Sequence, residues 1–427
     1  MPRESWRFVP DSAGRLTRVM VEGGFVPGRI YELVYRAANP RVVGLGLAAV
    51  RDVMSYARYG LDSPFPARRG IAFGVSQTGR FLRHFLYQGF NVDEEGRTVF
   101  DGMLIHSAGA GRGSFNHRFA QPSRDAHPYS SFFYPTDLFP FTSRTLLDPV
   151  AGVEDGLLAH TPEGHRPLTF YTNTGYEYWG RAASLIHTGP GGLEDVPPLP
   201  NERIYHLAGG QHFVGAFPRA SSRPAGDSAA AAPPVLQGNP LDFLPTLRAL
   251  AVAMVGWVES GAPPPASAYP TLGEGTLVPP GGVAYPGIPG LTTARVAHEA
   301  YRADYGPEFR QRGVITRQPP DLGAPFPSLV SQVDGLGNEV AGVRGIELRV
   351  PVATYLPWNL RGPGAPAAPE ELSDFVGTLV PFPRTDGERN AWGDPRPSLE
   401  ALYGGRSRYM RRVVAAIRQL TELGFLL

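Results

Sequence analysis

The sequence of 427 residues contains neither cysteine nor lysine. Because cysteine is missing, the chain has no disulfide bonds, thiol nucleophiles or thiolate metal sites. Because lysine is missing, it also lacks the standard phosphate-binding loop, which requires one. All 40 basic residues are therefore arginine, and 39 acidic residues balance them to a formal net charge of +1. This balance gives no indication of nucleic acid or an anionic membrane as a partner.

Metal-binding motifs and long apolar runs are also missing. The sequence has no HExxH motif and no histidines grouped with carboxylates at metal-ligand spacing, so we expect no metal and no cofactor. The most apolar helical segment, residues 243–258, is interrupted by Pro245 and Arg248 and is too short to span a bilayer. Residues 1–12 show no signal-peptide pattern, and the compartment and oligomeric state stay open.

Apolar segments between residues 70 and 107 follow the order strand, turn, helix, strand. Residues 70–73 (GIAF) and 101–107 (DGMLIHS) are short apolar runs typical of buried strands, and residues 80–87 repeat apolar side chains at helical spacing. A unit of this size indicates a βαβ crossover, and hence a mostly parallel sheet covered by helices on both faces. Further strands are predicted at residues 28–36, 167–172 and 203–207.

The sequence GVSQTGR, residues 74–80, joins the first strand of this unit to its helix. A serine on a sharp strand-to-helix turn exposes its hydroxyl, and the following helix directs its N-terminus at the developing oxyanion. We therefore predict Ser76 as a nucleophile and the backbone N–H of Gln77 as an oxyanion donor. The usual pattern is G-x-S-x-G, whereas here Thr78 occupies the second glycine position and Gly79 follows it. The alternative role of Ser76 is a helix N-cap.

A nucleophilic serine needs a base, and the base needs an orienting acid. In α/β sheets that carry such a serine turn, the chain order is serine, then acid, then histidine. His212, in LAGGQHF directly after the strand at 203–207, is the predicted base among ten histidines. Glu177, in TNTGYEYWGR just after the strand at 167–172, is the predicted acid, and Asp195 is its competitor because it also precedes His212.

These three segments resemble a large bacterial family of α/β-hydrolase domain proteins that carry a long C-terminal extension. The resemblance also covers YLPWNLR (355–361) and GDPRPSLEALYGGRSRYMRRV (393–413), and thus nearly the whole chain. It implies the α/β-hydrolase fold and a serine hydrolase with Ser76, His212 and Glu177 as its triad. The arrangement G-x-S-x-x-G-basic also resembles glucuronoyl esterases, but those carry arginine where this chain has Gln77, which argues against a uronate ester.

Other residues are predicted to contact the substrate or the oxyanion. Arg80 is a candidate for an acidic substrate group, with a structural ion pair near the helix start as the alternative. Trp179 and Trp358 are candidates for the pocket lining, with buried packing as the alternative. Residues 37–46 are the predicted source of a second oxyanion N–H.

The predicted domain organisation has two parts. Residues 1–260 form the α/β-hydrolase core with an aromatic-rich lid insertion at about 108–166, and residues 261–427 form a Pro/Gly-rich extension packed on that core. Only residues 346–355 of the extension look strand-like. The lid aromatics include Phe132, Phe133, Tyr134, Phe139 and Phe141. A C-terminal helix is expected to pack on the core through Met410, Val413, Val414, Ile417 and Leu420.

The sequence thus predicts a serine carboxylic-ester hydrolase that acts on a small-molecule ester through an acyl-enzyme intermediate. The aromatic lid favours a partly apolar substrate. Acyl transfer to an alcohol or amine, or a glucuronoyl-type esterase activity, is one alternative on the same fold. A non-catalytic hydrolase-like binding or scaffold protein is another, although the chain order of the three triad residues argues against it.

Overall fold

The computed structural model describes residues 1–26, 29, 31, 33, 44–113, 137–215, 236–317, 320–361 and 371–427. Several predictions concern other parts of the chain. Most of the strand predicted at 28–36 and most of the oxyanion segment 37–46 lie outside the described residues, as do the lid aromatics Phe132, Phe133 and Tyr134.

The described residues form fourteen strands and nine α-helices. In chain order the strands are β1 (Trp6–Pro10), β2 (Leu16–Val21), β3 (Ile71–Val75), β4 (Gly102–His106), β5 (Leu146–Asp148), β6 (Val153–Asp155), β7 (Leu168–Thr174), β8 (Glu202–Leu207), β9 (Leu277–Val278), β10 (Tyr301–Asp304), β11 (Asp321–Pro325), β12 (Val330–Ser331), β13 (Ala353–Leu356) and β14 (Thr378–Pro381). The helices are α1 (Gly46–Tyr59), α2 (Gln77–Tyr87), α3 (Gly175–Gly180), α4 (Leu244–Ser260), α5 (Phe309–Arg312), α6 (Ile346–Arg349), α7 (Asp386–Trp392), α8 (Leu399–Tyr403) and α9 (Arg406–Glu422). Within this part of the chain, no helix combines the length and the apolarity that a membrane crossing requires.

Four parallel strands form the central sheet, in the order β3-β4-β7-β8. Each strand is in register with its neighbour over most of its length. Every residue of β4 is buried, as expected for a strand covered on both faces. Because the strands are parallel, their carboxyl ends lie at one edge of the sheet, where the loops that follow β3, β7 and β8 meet.

Helices cover both faces of this sheet. On one face, Leu47 of α1 and Phe85 of α2 belong to an apolar cluster that includes Met103 of β4. Successive strand residues point to opposite faces, and Leu104 accordingly belongs to a second cluster, together with Met254 of α4. The predicted α/β architecture with a parallel sheet between two helical layers is confirmed.

The chain after residue 261 packs against both apolar clusters. Val343 and Leu420 belong to the cluster around α4, and Phe326 belongs to the cluster around α2. Phe139 and Phe141, at the described end of the predicted lid, are buried against Phe326. The sheets of this region are two-stranded and antiparallel: β9 pairs with β12, β10 with β11, and β13 with β14.

The prediction of a strand at residues 346–355 was wrong for the first half of that range. Ile346–Arg349 is the single helical turn α6, and only Ala353–Leu356 is extended. Pro351 separates the two because it cannot continue a helix and favours an extended residue before it. A short apolar run does not distinguish a helical turn from a strand. The region also holds more strands than predicted, namely β9 to β12 and β14.

The C-terminal helix α9 packs through a different stripe from the one predicted. Leu420 and Ala416 are buried and Val413 is half-buried, which follows the i, i+3, i+7 spacing of one helix face. The prediction was wrong for three positions that are exposed, Met410, Val414 and Ile417. The helix is wide enough for two apolar rows, and only one of them meets the core.

Truncation of the two rows is expected to have unequal effects on stability. Leu420 is 1% exposed, so Leu420→Ala should lower the free energy of unfolding by about 2–5 kcal/mol through lost burial and a cavity. Ile417 is 39% exposed, so Ile417→Ala should lower it by less than about 1 kcal/mol. Urea unfolding of both variants beside the parent measures the difference. Equal losses would contradict the packing of α9.

Candidate active site

The turn between β3 and α2 holds Ser76 in a strained backbone conformation. Ser76 has φ 54° and ψ −114°, outside the regions that residues with a side chain usually occupy. A Cβ at position 74 would lie 2.6 Å from the carbonyl oxygen of Thr78, and one at position 79 would lie 2.9 Å from that of His106. Glycine is therefore required at both positions for the turn to close.

The departure from G-x-S-x-G has a local explanation. Thr78 Oγ1 donates to the carbonyl of Val75 at 2.9 Å and accepts from the N–H of Val75 at 2.8 Å. Its side chain thus closes the turn that a glycine would leave open. The close approach to the neighbouring strand falls instead on Gly79, one residue later.

The hydroxyl of Ser76 does not cap the helix. Ser76 occupies the N-cap position of α2, but its side chain makes no capping hydrogen bond. Its Oγ lies 2.9 Å from His212 Nε2 instead. Ser76 is therefore at the N-cap position, but its hydroxyl does not play the capping role that the alternative assigned to it.

His212 follows β8 after a turn at Gly209, which has φ 69°. The turn brings the imidazole back over the carboxyl edge of the sheet, where it is buried. Nδ1 lies 2.5 Å from Glu177 Oε1, and Nε2 faces Ser76 Oγ. Because a carboxylate only accepts hydrogen bonds, Nδ1 carries the proton and Nε2 is free to accept the serine proton.

Glu177 lies in the first turn of α3, directly after β7, and is fully buried. Its Oε2 accepts from the N–H of Thr174 at 2.9 Å and from Thr174 Oγ1 at 2.5 Å, in a capping box that fixes the carboxylate. Burial raises the pKa of Glu177, but His212 and Thr174 oppose this and the net pKa is lowered. The carboxylate is therefore ionised at neutral pH.

His106, at the end of β4, lies behind the triad and stays neutral. Burial lowers its pKa to about 4, although the charge of Glu177 opposes the shift. Its Nδ1 lies 2.9 Å from Thr172 Oγ1. A neutral imidazole here leaves the charge of Glu177 available to His212.

Asp195, the competing acid, has a structural role. Its two carboxylate oxygens accept from the N–H groups of Leu272 at 2.9 Å and Gly273 at 2.8 Å. The structure thus brings Ser76, Glu177 and His212 together and places Asp195 in a loop contact.

The other predicted site residues take different positions. Gln77 is the first residue of α2, and N–H groups at a helix start have no intrahelical partner, so its N–H is available to an oxyanion. Arg80 is buried, and its charge is one of those that hold down the pKa of Asp137 against the effect of burial. Trp179 and Trp358 are buried together in one apolar cluster, which favours the packing alternative over pocket lining.

Residues distant in the sequence hold the loop of His212, and sequence reasoning missed them. The N–H of Gly209 donates to Glu339 Oε2 at 2.5 Å, and Asn239 Nδ2 donates to the carbonyl of Gly209 at 2.7 Å. Gln211 Oε1 accepts from the N–H of Gly377 at 2.8 Å. No local pattern marks Glu339, Asn239 or Gly377, since each contact joins positions at least 30 residues apart.

An aromatic surface borders the imidazole of His212. The ring of Phe375 lies 4.6 Å from that of His212 between centroids, and Phe213 lies 4.5 Å from it. Phe213 is 55% exposed, so this surface is open to solvent. Phe375 has φ 64°, a strained conformation for an aromatic residue. Phe213 was detectable as the neighbour of His212, whereas Phe375 carries no sequence signal.

Within the described ranges, no group of three or more histidine, aspartate or glutamate side chains is arranged to hold a metal ion. The residues at the carboxyl edge instead form a chain of hydrogen bonds from carboxylate to imidazole to hydroxyl.

Comparison with known proteins agrees with this geometry. A family model described as an alpha/beta hydrolase domain matches residues 24–427, which is all but the first 23 residues. No curated protein and no solved structure matches the chain. The strained turn at Ser76, the parallel sheet and the match over nearly the full length lead to one conclusion: the chain belongs to the alpha/beta hydrolase domain family.

Proposed function

We propose that the protein is a serine carboxylic-ester hydrolase that works through an acyl-enzyme on Ser76. The observation that carries the proposal is the pair of hydrogen bonds from Glu177 through His212 to the hydroxyl of Ser76. An isolated serine hydroxyl is a weak nucleophile, and an adjacent base oriented by a third group activates it.

Acylation begins when Ser76 Oγ attacks the ester carbonyl carbon and its proton passes to His212 Nε2. The carbonyl oxygen becomes an oxyanion, to which the N–H of Gln77 donates at the positive end of the α2 dipole. The bond from the carbonyl carbon to the alcohol oxygen then breaks. His212 gives its proton to that oxygen, and the alcohol leaves.

Deacylation repeats the same steps with water. His212 takes a proton from the water, whose oxygen attacks the acyl carbon, and the bond to Ser76 Oγ breaks as the proton returns to it. Glu177 stays ionised throughout because its net pKa is lowered, and it stabilises the imidazolium. The products are a carboxylic acid and an alcohol.

The surface beside His212 favours esters with an apolar alcohol part. The leaving oxygen must lie next to His212 Nε2 to receive its proton, so the alcohol passes near the groups that border this ring. Those groups include Phe213 and Phe375, which offer apolar area at the mouth of the site.

A fluorophosphonate probe tests the nucleophile directly, because it reacts covalently with an activated serine. We expect one adduct per chain on the parent and none on Ser76→Ala. Trypsin cuts after arginine and releases residues 70–80, in which Ser76 is the only serine, so mass spectrometry assigns the site. Ser260→Ala, at an exposed serine at the end of α4, is the matched control and should label like the parent.

Hydrolysis of p-nitrophenyl esters of increasing acyl length, beside a glucuronate methyl ester, then identifies the acyl preference. A folded parent that neither labels nor cleaves any ester would overturn the proposal and favour a binding protein of the same fold. Labelling without hydrolysis, together with product formation only when an alcohol or amine is added, would indicate acyl transfer.

A further inference from the structure

A cavity lies along the far end of α2, away from Ser76 and His212. Its volume is about 360 Å³, within the range of small-molecule sites. His84 and Tyr87 line it from α2, and Arg310 lines it from α5. Since a helix rises about 1.5 Å per residue, these α2 positions lie roughly 12 to 16 Å beyond Ser76. The cavity is therefore separate from the ester site.

Arg112 is the main buried cation of this cavity. It is 7% exposed, its Nη2 donates to the carbonyls of Leu138 and Phe139, and its guanidinium lies 3.6 Å above the ring of Tyr87. Within the described part of the chain, its Nε is buried without a hydrogen-bond partner and no carboxylate forms an ion pair with it. Burial lowers the pKa of Arg112 to about 10, so the group is still charged at neutral pH.

The second uncompensated cation is Arg310, which forms no ion pair with any described residue. Its neighbours differ in this respect: Arg302 is held by both oxygens of Asp148, and Arg312 pairs with Glu308 at 2.8 Å. Burial raises the pKa of Tyr87, and the charges of Arg112 and Arg310 both oppose that rise, which places the two cations near one ring. Asp155 accepts from the hydroxyl of Tyr87 at 2.8 Å and adds to the rise, so two cations and one carboxylate lie near this ring and leave an excess of about one positive charge.

Part of the cavity lining is apolar. Phe139 and Phe326 stack with centroids 6.1 Å apart and planes 11° apart, and both line the cavity with Leu138 and Phe309. A buried cation without a partner is unfavourable unless an anion compensates it. A ligand that fits both the cationic and the apolar lining must carry an anionic group attached to an apolar group.

We infer that this cavity binds a small organic carboxylate with an aromatic or aliphatic body. The carboxylate would accept from Arg112 and Arg310, and the body would pack on Phe139 and Phe326. The proposal is independent of the ester chemistry, because it concerns residues that do not touch the triad.

Titration calorimetry at low ionic strength tests the inference with benzoate as the probe. We expect binding to the parent, with benzamide about tenfold weaker because it lacks the charge, and inorganic phosphate about tenfold weaker because it lacks the ring. Arg310→Gln, at an exposed position that should not disturb folding, is expected to weaken benzoate about tenfold. Arg112→Gln is expected to weaken it further.

The control is Arg418→Gln, which removes an exposed arginine on α9, far along the chain from the cavity, and should leave the affinity unchanged. Benzoate that does not bind the parent, or that binds no better than benzamide, would overturn the inference. So would binding that Arg310→Gln leaves intact, since benzoate would then occupy another place, such as the ester site.

Discussion

Replacing His212 by alanine is expected to lower kcat for ester hydrolysis by about 10⁶-fold while leaving the fold intact. The imidazole is the only group within hydrogen-bond distance of the Ser76 hydroxyl in the described structure, so its removal leaves the nucleophile without a base. KM should change little, because the imidazole acts on the proton and not on the bound ester. The measurement is steady-state hydrolysis of a p-nitrophenyl ester, with circular dichroism as the check on folding.

A matched control is His160→Ala, which removes an exposed histidine whose ring contacts that of Tyr87. We expect it to keep the activity of the parent. Free imidazole added to the His212→Ala variant should restore part of the rate, because the role of the side chain is chemical. A His212→Ala variant that retains most of its activity would show that another group is the base.

Glu177→Gln is expected to lower kcat by about 10⁴-fold. The glutamate accepts a hydrogen bond from the N–H of His212 Nδ1, and its second oxygen accepts from the N–H and hydroxyl of Thr174. An amide nitrogen facing Nδ1 would donate to it and move the imidazole proton to Nε2, where an acceptor is needed. The variant also loses the negative charge that stabilises the imidazolium.

Asp195→Asn provides the comparison, because this residue was the competing acid in the sequence and receives only two loop N–H groups in the structure. It should leave kcat nearly unchanged. Steady-state rates of both variants on the same ester decide between the two acids. A larger loss for Asp195→Asn than for Glu177→Gln would reverse the assignment.

Local patterns were sufficient to predict the central unit of the fold. The strands at 70–73 and 101–107 and the helix at 80–87 were found within a few residues of β3, β4 and α2. These elements combine strong apolar runs with a turn that only certain residues allow, so periodicity and turn chemistry agree. The three residues proposed for catalysis could be selected for the same reason, since each follows the end of a sheet strand.

Contacts between distant parts of the chain were not predictable from one sequence. The α9 stripe looked continuous from Met410 to Leu420, but only tertiary packing decides which of two apolar rows meets the core. Trp179 and Trp358 are 179 positions apart, and no sequence pattern or motif relates them, yet they pack in one buried cluster. Glu339 and Phe375 were missed for the same reason, because they contact Gly209 and His212 from distant positions in the sequence.

The contacts around Gly209 and Gln211 also determine when, during synthesis of the chain, the loop that carries His212 can be held in place. A ribosome-bound chain that ends before Glu339 already contains Ser76, Glu177 and His212, yet it lacks the carboxylate that receives the N–H of Gly209. The contact from Gly377 to Gln211 forms later still. Translation must therefore proceed past residue 377 before the imidazole acquires all of these supports.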